Sequence, residues 1–181
     1  MLLAKIFREN TPKQLMVLAL EQWIQPFIAW IPGITGFTIR YVFFKLIFNH
    51  LGGFSYIAPS VTMQRSYGIR AGKRLAVNRG AIIDGKGNIQ IGDNVLIGPY
   101  VVITSAQHSF DRADLPMIMQ VETKKEVVIG NDVWIGAHAV ILPGVHIGDR
   151  VIIGAGSIVS HDIEAHSIAV GVPAKVIKPL I

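Results

Sequence analysis

Ile129-Gly-Asn-Asp-Val-Trp, Ile135-Gly-Ala-His-Ala-Val, Ile141-Leu-Pro-Gly-Val-His, Ile147-Gly-Asp-Arg-Val-Ile and Ile153-Gly-Ala-Gly-Ser-Ile follow one another without a gap, and Val159-Ser-His-Asp-Ile-Glu closes the run. An aliphatic residue opens every hexad, and a six-residue period is the mark of a β-helix. Such a residue projects inward and stacks on its equivalents one coil above and below. The Gly that follows lets the backbone turn tightly beside the packed side chain. Asp-Asn, Asn-Asp or Asp-Arg then tolerate left-handed backbone. Val or Ala at the fifth position completes a short strand with a second inward contact. A helix is excluded, because a spacing of six does not keep residues on one face of a 3.6-residue turn. Each hexad is thus one face of a triangular coil, hydrogen-bonded to its neighbours.

Working outward, Ile91-Gly-Asp-Asn-Val-Leu, Ile97-Gly-Pro-Tyr-Val-Val and Ile103 belong to the same frame, and Ile57, Met63, Ile69 and Leu75 keep the spacing more weakly. Between Ile103 and Ile129 the frame breaks, since 26 positions is not a multiple of six. The interruption, residues 104–128, is long enough to expect a functional loop. It carries Gln107-His108-Ser109-Phe110-Asp111.

Together with Asn78-Arg-Gly-Ala-Ile-Ile-Asp-Gly85, the His108 loop, Val128-Ile-Gly-Asn-Asp-Val-Trp-Ile-Gly136, Ile153-Gly-Ala-Gly-Ser157 and Gly171-Val-Pro-Ala-Lys175, these hexads resemble the hexapeptide-repeat acyltransferases. Within that family the chain is similar to the sugar O-acetyltransferases, including maltose and galactoside acetyltransferases and enzymes that modify capsule or exopolysaccharide. The likeness runs from about Ile57 to Lys178. It implies a left-handed parallel β-helix, a homotrimer with active sites in the clefts between subunits, and acetyl-CoA in a groove beside the later coils. A saccharide or nucleotide-sugar would be the acceptor.

A sugar hydroxyl is a weak nucleophile, so a base must take its proton as it attacks the thioester. The resemblance gives that role to His108, with direct transfer in a ternary complex. It gives the oxyanion contact to the backbone N–H of Ala137. Asn78 and Asp84 match acceptor-binding positions, and Trp134, Ala137, Ala155, Ser160, Lys175 and Lys178 match positions that line the cofactor. Other patterns mislead. Ser160-His161-Asp162 spells a triad, but consecutive residues cannot converge on one atom. Gly68-Ile-Arg-Ala-Gly72-Lys73 is too short for a phosphate loop and has Arg74 where Ser or Thr belongs. His161 and His166 raise a γ-class carbonic-anhydrase-like zinc lyase as an alternative, yet no third ligand stands in register and no metal is expected. An amino-sugar N-acetyltransferase and a non-catalytic scaffold are further alternatives. Glu126 precedes the resumed repeat where relatives often have proline, which leaves the loop's exit open.

The N-terminal residues 1–55 fall outside the resemblance, which assigns 56–181 to the acyltransferase domain with its C-terminal tail. Between Gln22 and Ile39 no residue is charged, but Pro26, Pro32, Gly33 and Gly36 interrupt the run. Two helices joined by a bend, roughly 12–30 and 34–49, are expected. Trp23 and Trp30 with Lys13, Arg40 and Lys45 suit peripheral contact with a membrane through residues 12–49. The other reading is a cap on the open end of the β-helix. CoA chemistry places the active site in the cytoplasm, or on the cytoplasmic face of a membrane. No signal peptide is evident.

The 181 residues are 51% hydrophobic, 16% charged and free of cysteine. That composition excludes a disordered chain, disulfides, thiolate metal sites and a cysteine nucleophile. The net charge is +5, and Arg65, Arg70, Lys73, Arg74 and Arg79 lie in a stretch without an acid. Such a cluster either attracts phosphates or forms a solvated edge; no nucleic-acid partner is expected.

Overall fold

A computed structural model of the protein describes Phe7 and residues 9–180; of the N-terminal segment, residues 1–6 and Arg8 lie outside the described residues. The repeat folds as the hexads require, into a parallel β-helix with three faces. Face A stacks 50–51, 69–71, 89–91, 127–129 and 146–147, and face C stacks 62–64, 82–84, 102–104, 140–141 and 158–159. Face B stacks 56–57, 76–77, 96–97, 134–135, 151–153 and 167–170, with the tail strand 175–179 added antiparallel. Ile57, Val77, Ile97, Ile135 and Ile153 line the core from face B, and Met63, Ile83, Ile103 and Ile141 from face C, all inaccessible to solvent.

The upstream coils depart from the six-residue frame. Tyr56 pairs with Ala76 and Ala76 with Leu96, 20 residues per coil, whereas Trp134 pairs with Ile152 after 18. The surplus collects at the corner between faces C and A. That passage takes eight residues from Met63 to Ala71 and from Ile83 to Ile91, 26 from Ile103 to Ile129, and six from Ile141 to Ile147. Leu75 is buried but sits at a corner, and Val77 takes the next face B position.

The corner between faces A and B shows why Asp and Asn recur there. Asp93 Oδ1 accepts the Lys73 N–H (2.7 Å), Asn131 Oδ1 that of Asp93 (2.8 Å), and Asp149 Oδ1 that of Asn131 (2.6 Å). The next residues, Asn94, Asp132 and Arg150, hold φ of 61°, 55° and 55°, so the left-handed turn falls on the fourth residue of the hexad. The preceding Gly serves close stacking instead. A Cβ at Gly92 would stand 2.6 Å from the Gly130 carbonyl oxygen.

Three helices close the first coil: α1 (Pro12–Trp23), α2 (Gln25–Ile28) and α3 (Gly33–Ile47). The expected first helix is therefore broken at Ile24. Pro26 has no N–H to continue the ladder, and its ring displaces the carbonyl of Gln22. Thr11 and Gln14 form a capping box, and Pro12 takes the first turn. Val17, Phe44, Ile47 and Phe48 join the β-helix core. Buried Arg40 ties the turn down, its guanidinium donating to the carbonyls of Ile57 (2.9 Å), Ile28 (3.1 Å) and Ile31 (2.9 Å). Gly36 makes this approach feasible, because a Cβ there would meet the Ile31 oxygen at 1.8 Å. No helix among the described residues is long and apolar enough to cross a membrane.

Candidate active site

The interruption leaves the coil after Thr104 and returns before Val127, and its base is a hairpin of 106–108 against 122–124. Ser105, fully buried, is its root. Its carbonyl accepts the Lys125 N–H (2.9 Å), and its hydroxyl donates to the Asp84 carbonyl (2.8 Å) while accepting the Gly87 N–H (2.8 Å). The hairpin register sets His108 opposite Glu122. Glu126, at the exit, accepts from Gln90 on face A (3.0 Å).

The hairpin and the two preceding corners enclose a cleft of about 180 Å³ lined by Arg65, Asp84, Lys86, Ala106, Gln107, His108 and Glu122. Arg65 Nη1 is 2.7 Å from Asp84 Oδ2, and Lys86 pairs with Glu122. His108 Nε2 lies 3.7 Å from Glu122 Oε1, with the imidazole half exposed to the cleft. Burial pushes the Lys86 pKa down, and the Arg65 and Lys124 charges push it the same way. Two acids and two bases thus surround one imidazole.

Of the positions marked in the sequence, Asp84 shares this cleft with His108. Asn78 does not; it lies at the corner between faces B and C, where its Nδ2 donates to the Ile97 carbonyl (3.0 Å). Ala137 and Ala155 occupy the same kind of corner in later coils, and among the described residues neither amide N–H donates to an acceptor. Trp134 stands outward on face B between Leu96 and Ile152. Lys175 and Lys178 are exposed on the tail strand that extends face B beyond the cis peptide Val172–Pro173. Five cofactor positions thus gather along face B and its corner with face C. Ser160 lies apart at the end of face C, bonded to His161 Nδ1 (2.9 Å). Arg65, Lys86 and Glu122 were missed in the sequence. The signal for the first two was the 20-residue upstream coil, which stacks the corner at 65–68 on that at 85–88; Glu122 is found only through the hairpin register.

The outward columns differ between faces. Face A carries His50, Arg70, Gln90, Val128 and His146; face B carries Tyr56, Ala76, Leu96, Trp134, Ile152 and Ile168; face C carries Thr62, Ile82, Val102, Val140 and Ile158. The loop tip exposes Phe110, Met117, Ile118, Met119 and Val121. Among the described residues no three His, Cys, Asp or Glu side chains converge as a metal ion requires.

Comparison with known proteins agrees with this layout. The family model "Bacterial transferase hexapeptide (six repeats)" matches residues 126–161. Galactoside O-acetyltransferase of Escherichia coli is 36% identical over 141 residues, 75% of this chain and 66% of that protein, so the chain spans just under two thirds of it. A solved galactoside acetyltransferase in complex with coenzyme A superposes with a TM-score of 0.84 at 31% identity, covering 94% of this chain and 84% of that one. A hexapeptide-repeat acetyltransferase from Vibrio cholerae, complexed with acetyl coenzyme A, gives a TM-score of 0.83 at 29% identity over 95% and 91% of the two chains. With the repeat matched and the likeness covering nearly the whole of this chain, this chain belongs to the hexapeptide-repeat acetyltransferases.

Proposed function

We propose that the protein transfers an acetyl group from acetyl-CoA to a hydroxyl of a saccharide or nucleotide-sugar. The observation that carries this reading is the His108 imidazole, held on a rooted hairpin at the mouth of a cleft with Glu122 beside it. His108 takes the hydroxyl proton as the sugar oxygen attacks the thioester carbonyl. The Ala137 N–H, free of other partners, meets the developing oxyanion. Collapse of the tetrahedral species breaks the C–S bond, and His108 returns its proton to the departing thiolate. Glu122 stands beside the imidazole, 3.7 Å from Nε2, while Asp84, Arg65 and Lys86 contact the acceptor. Trp134, Ala155, Lys175 and Lys178 hold the donor, the two lysines near its phosphates.

The His108 cleft and the Ala137 corner lie on different edges of one chain, so we assign each complete site to two neighbouring subunits of a trimer. The largely apolar columns on faces B and C, against the face A column in which Val128 alone is apolar, support a subunit that uses two of its three faces for assembly. The test is thiol release from acetyl-CoA with a panel of sugars and nucleotide-sugars, wild type beside His108→Ala. A working acceptor and a loss of about a hundredfold or more in the variant are expected. Equal turnover by the two proteins would remove His108 from the mechanism.

A further inference from the structure

The helices that close the first coil have two faces. Val17, Glu21 and Ile28 point inward, and Gln25 bonds both ways with Met63 (2.8 and 3.1 Å), so the inner face is fully engaged. The outer face carries Trp23, Phe27, Trp30 and Ile34, which are 74%, 77%, 72% and 84% exposed. Trp23 ends α1, Phe27 lies four residues on in α2, Trp30 sits in the turn that follows, and Ile34 is in the first turn of α3. Among the described residues these side chains are left uncovered, and exposed large apolar side chains gathered in one segment mark an interaction surface.

Charge selects the partner. Residues 11–83 hold eight basic residues and one acid, whereas 84–181 hold seven basic and ten acidic. The one acid, Glu21, is buried, its carboxylate accepting the Arg65 (2.9 Å) and Ser66 (2.6 Å) amides. Lys13, Lys45, Arg70, Lys73, Arg74 and Arg79 are all exposed. The β-helix is therefore polarised along its length, positive at the end that bears the aromatics. Two copies meeting through this end would set like charge against like charge. Tryptophan and phenylalanine ringed by Lys and Arg match the headgroup level of an anionic membrane.

We infer that the N-terminal helical cap is a docking face for an anionic lipid bilayer, with Trp23, Phe27, Trp30 and Ile34 inserted at headgroup depth and the basic residues of the cap and first two coils over the acidic headgroups. Docked this way the β-helix stands on its first coil. The His108 cleft begins at the first-coil corner, where Arg65 lines it and donates its amide to the cap's Glu21, and it reaches His108 two coils higher, about 10 Å at the spacing of stacked strands. It then faces acceptors carried at the membrane surface.

The proposal is independent of the assigned chemistry, and the test reads binding rather than turnover. Full-length protein is sedimented with vesicles of phosphatidylcholine alone and of an equimolar mixture with phosphatidylglycerol, at low and high salt. Wild type binds the mixed vesicles about tenfold or more tightly than the neutral ones, and salt removes the difference. Trp23→Ser, Phe27→Ser and Trp30→Ser combined weaken binding by about a hundredfold, and Lys13→Glu with Lys73→Glu weakens it on mixed vesicles only. In wild type, brominated lipid quenches tryptophan fluorescence, a readout that needs no variant. Wild type that ignores anionic vesicles overturns the proposal. So does a triple variant that binds as wild type, or one that changes oligomeric state by light scattering, which would give these side chains to another copy of the chain.

Discussion

Gly87 is where the fold and the chemistry touch. It lies beneath the neck of the His108 loop and donates its N–H to Ser105 Oγ (2.8 Å). A Cβ built on Gly87 would stand 2.1 Å from the Ser105 carbonyl oxygen and 2.9 Å from the Lys125 nitrogen, where 3.4 Å begins ordinary contact. Those atoms form the bond that closes the neck. Gly87→Ala therefore forces the neck outward by about 1 Å, against a Ser105 that is fully buried. Overpacking of this kind costs about 1–3 kcal/mol, a fall of about 3–10 °C in Tm for a chain of this size. The larger effect falls on rate, since a misplacement of about 1 Å costs about a hundredfold. KM for acetyl-CoA should hold, because the donor positions lie on another edge. Gly33→Ala is the control: φ there is +66° and nothing lies within 4 Å, so it costs about 1 kcal/mol of backbone strain and leaves turnover alone. Thermal melts and steady-state kinetics decide. Gly87→Ala with wild-type kcat and a Tm within a degree or two would refute the view that the neck rests on this glycine.

Ala137→Pro deletes the proposed oxyanion donor without breaking a hydrogen bond, and Pro99 already occupies the equivalent corner one coil earlier. Its Tm should stay within a few degrees while kcat falls about 10²–10³-fold; full activity would discard that amide. Mixing His108→Ala with Ala137→Pro subunits should recover up to about a quarter of wild-type activity, since random trimers pair an intact His108 with an intact Ala137 at about one site in four. No recovery from mixed assemblies, with exchange checked by mass spectrometry, would place the site within one chain. Glu21→Ala strands two amides of the first corner, one beside fully buried Ser66. About 2–4 kcal/mol should be lost, and an unchanged denaturation midpoint would contradict this.

The period was legible because one inward residue per face repeats without regard to what lies outside. Ile129 to Val159 reads itself, and so does the gap that precedes it. The upstream coils were less legible. Their two extra residues fall at one corner only, so a strict count of six stops at Leu75, two residues short of Val77. The helical break at Ile24 was hidden by an apolar run whose composition stays constant while Pro26 changes the backbone. Within the site, His108 stood out as a histidine in a long loop, and Asp84 stood out through the family pattern. Glu122 carried no local signal. It lies 14 positions from His108, and only antiparallel pairing within the loop sets the two opposite each other. Arg65 belonged to a conspicuous basic cluster, yet its ion pair with Asp84 depends on the 20-residue coil that the hexad count did not supply.

A triangular coil confines chemistry to its corners. On each face the inward side chains are committed to the core and the backbone is committed to neighbouring coils. Free backbone donors and insertions are therefore left to the turns. Here two corners have been used differently. The corner between faces C and A absorbs length, and so carries the hairpin with His108, the Arg65–Asp84 pair and Lys86. The corner between faces B and C keeps its length, and so stacks the unpartnered Ala137 and Ala155 amides in line beside Trp134. Face C separates the two, and beyond Thr62 its outward column of Ile82, Val102, Val140 and Ile158 is apolar. A base on one edge and an oxyanion donor on another act on one carbonyl only if a second copy brings them together. An apolar face between them, with an apolar loop tip reaching outward, is what such a copy would pack against. In the proposed trimer, assembly and catalysis would draw on the same feature of the sequence: the single corner at which the period of six fails.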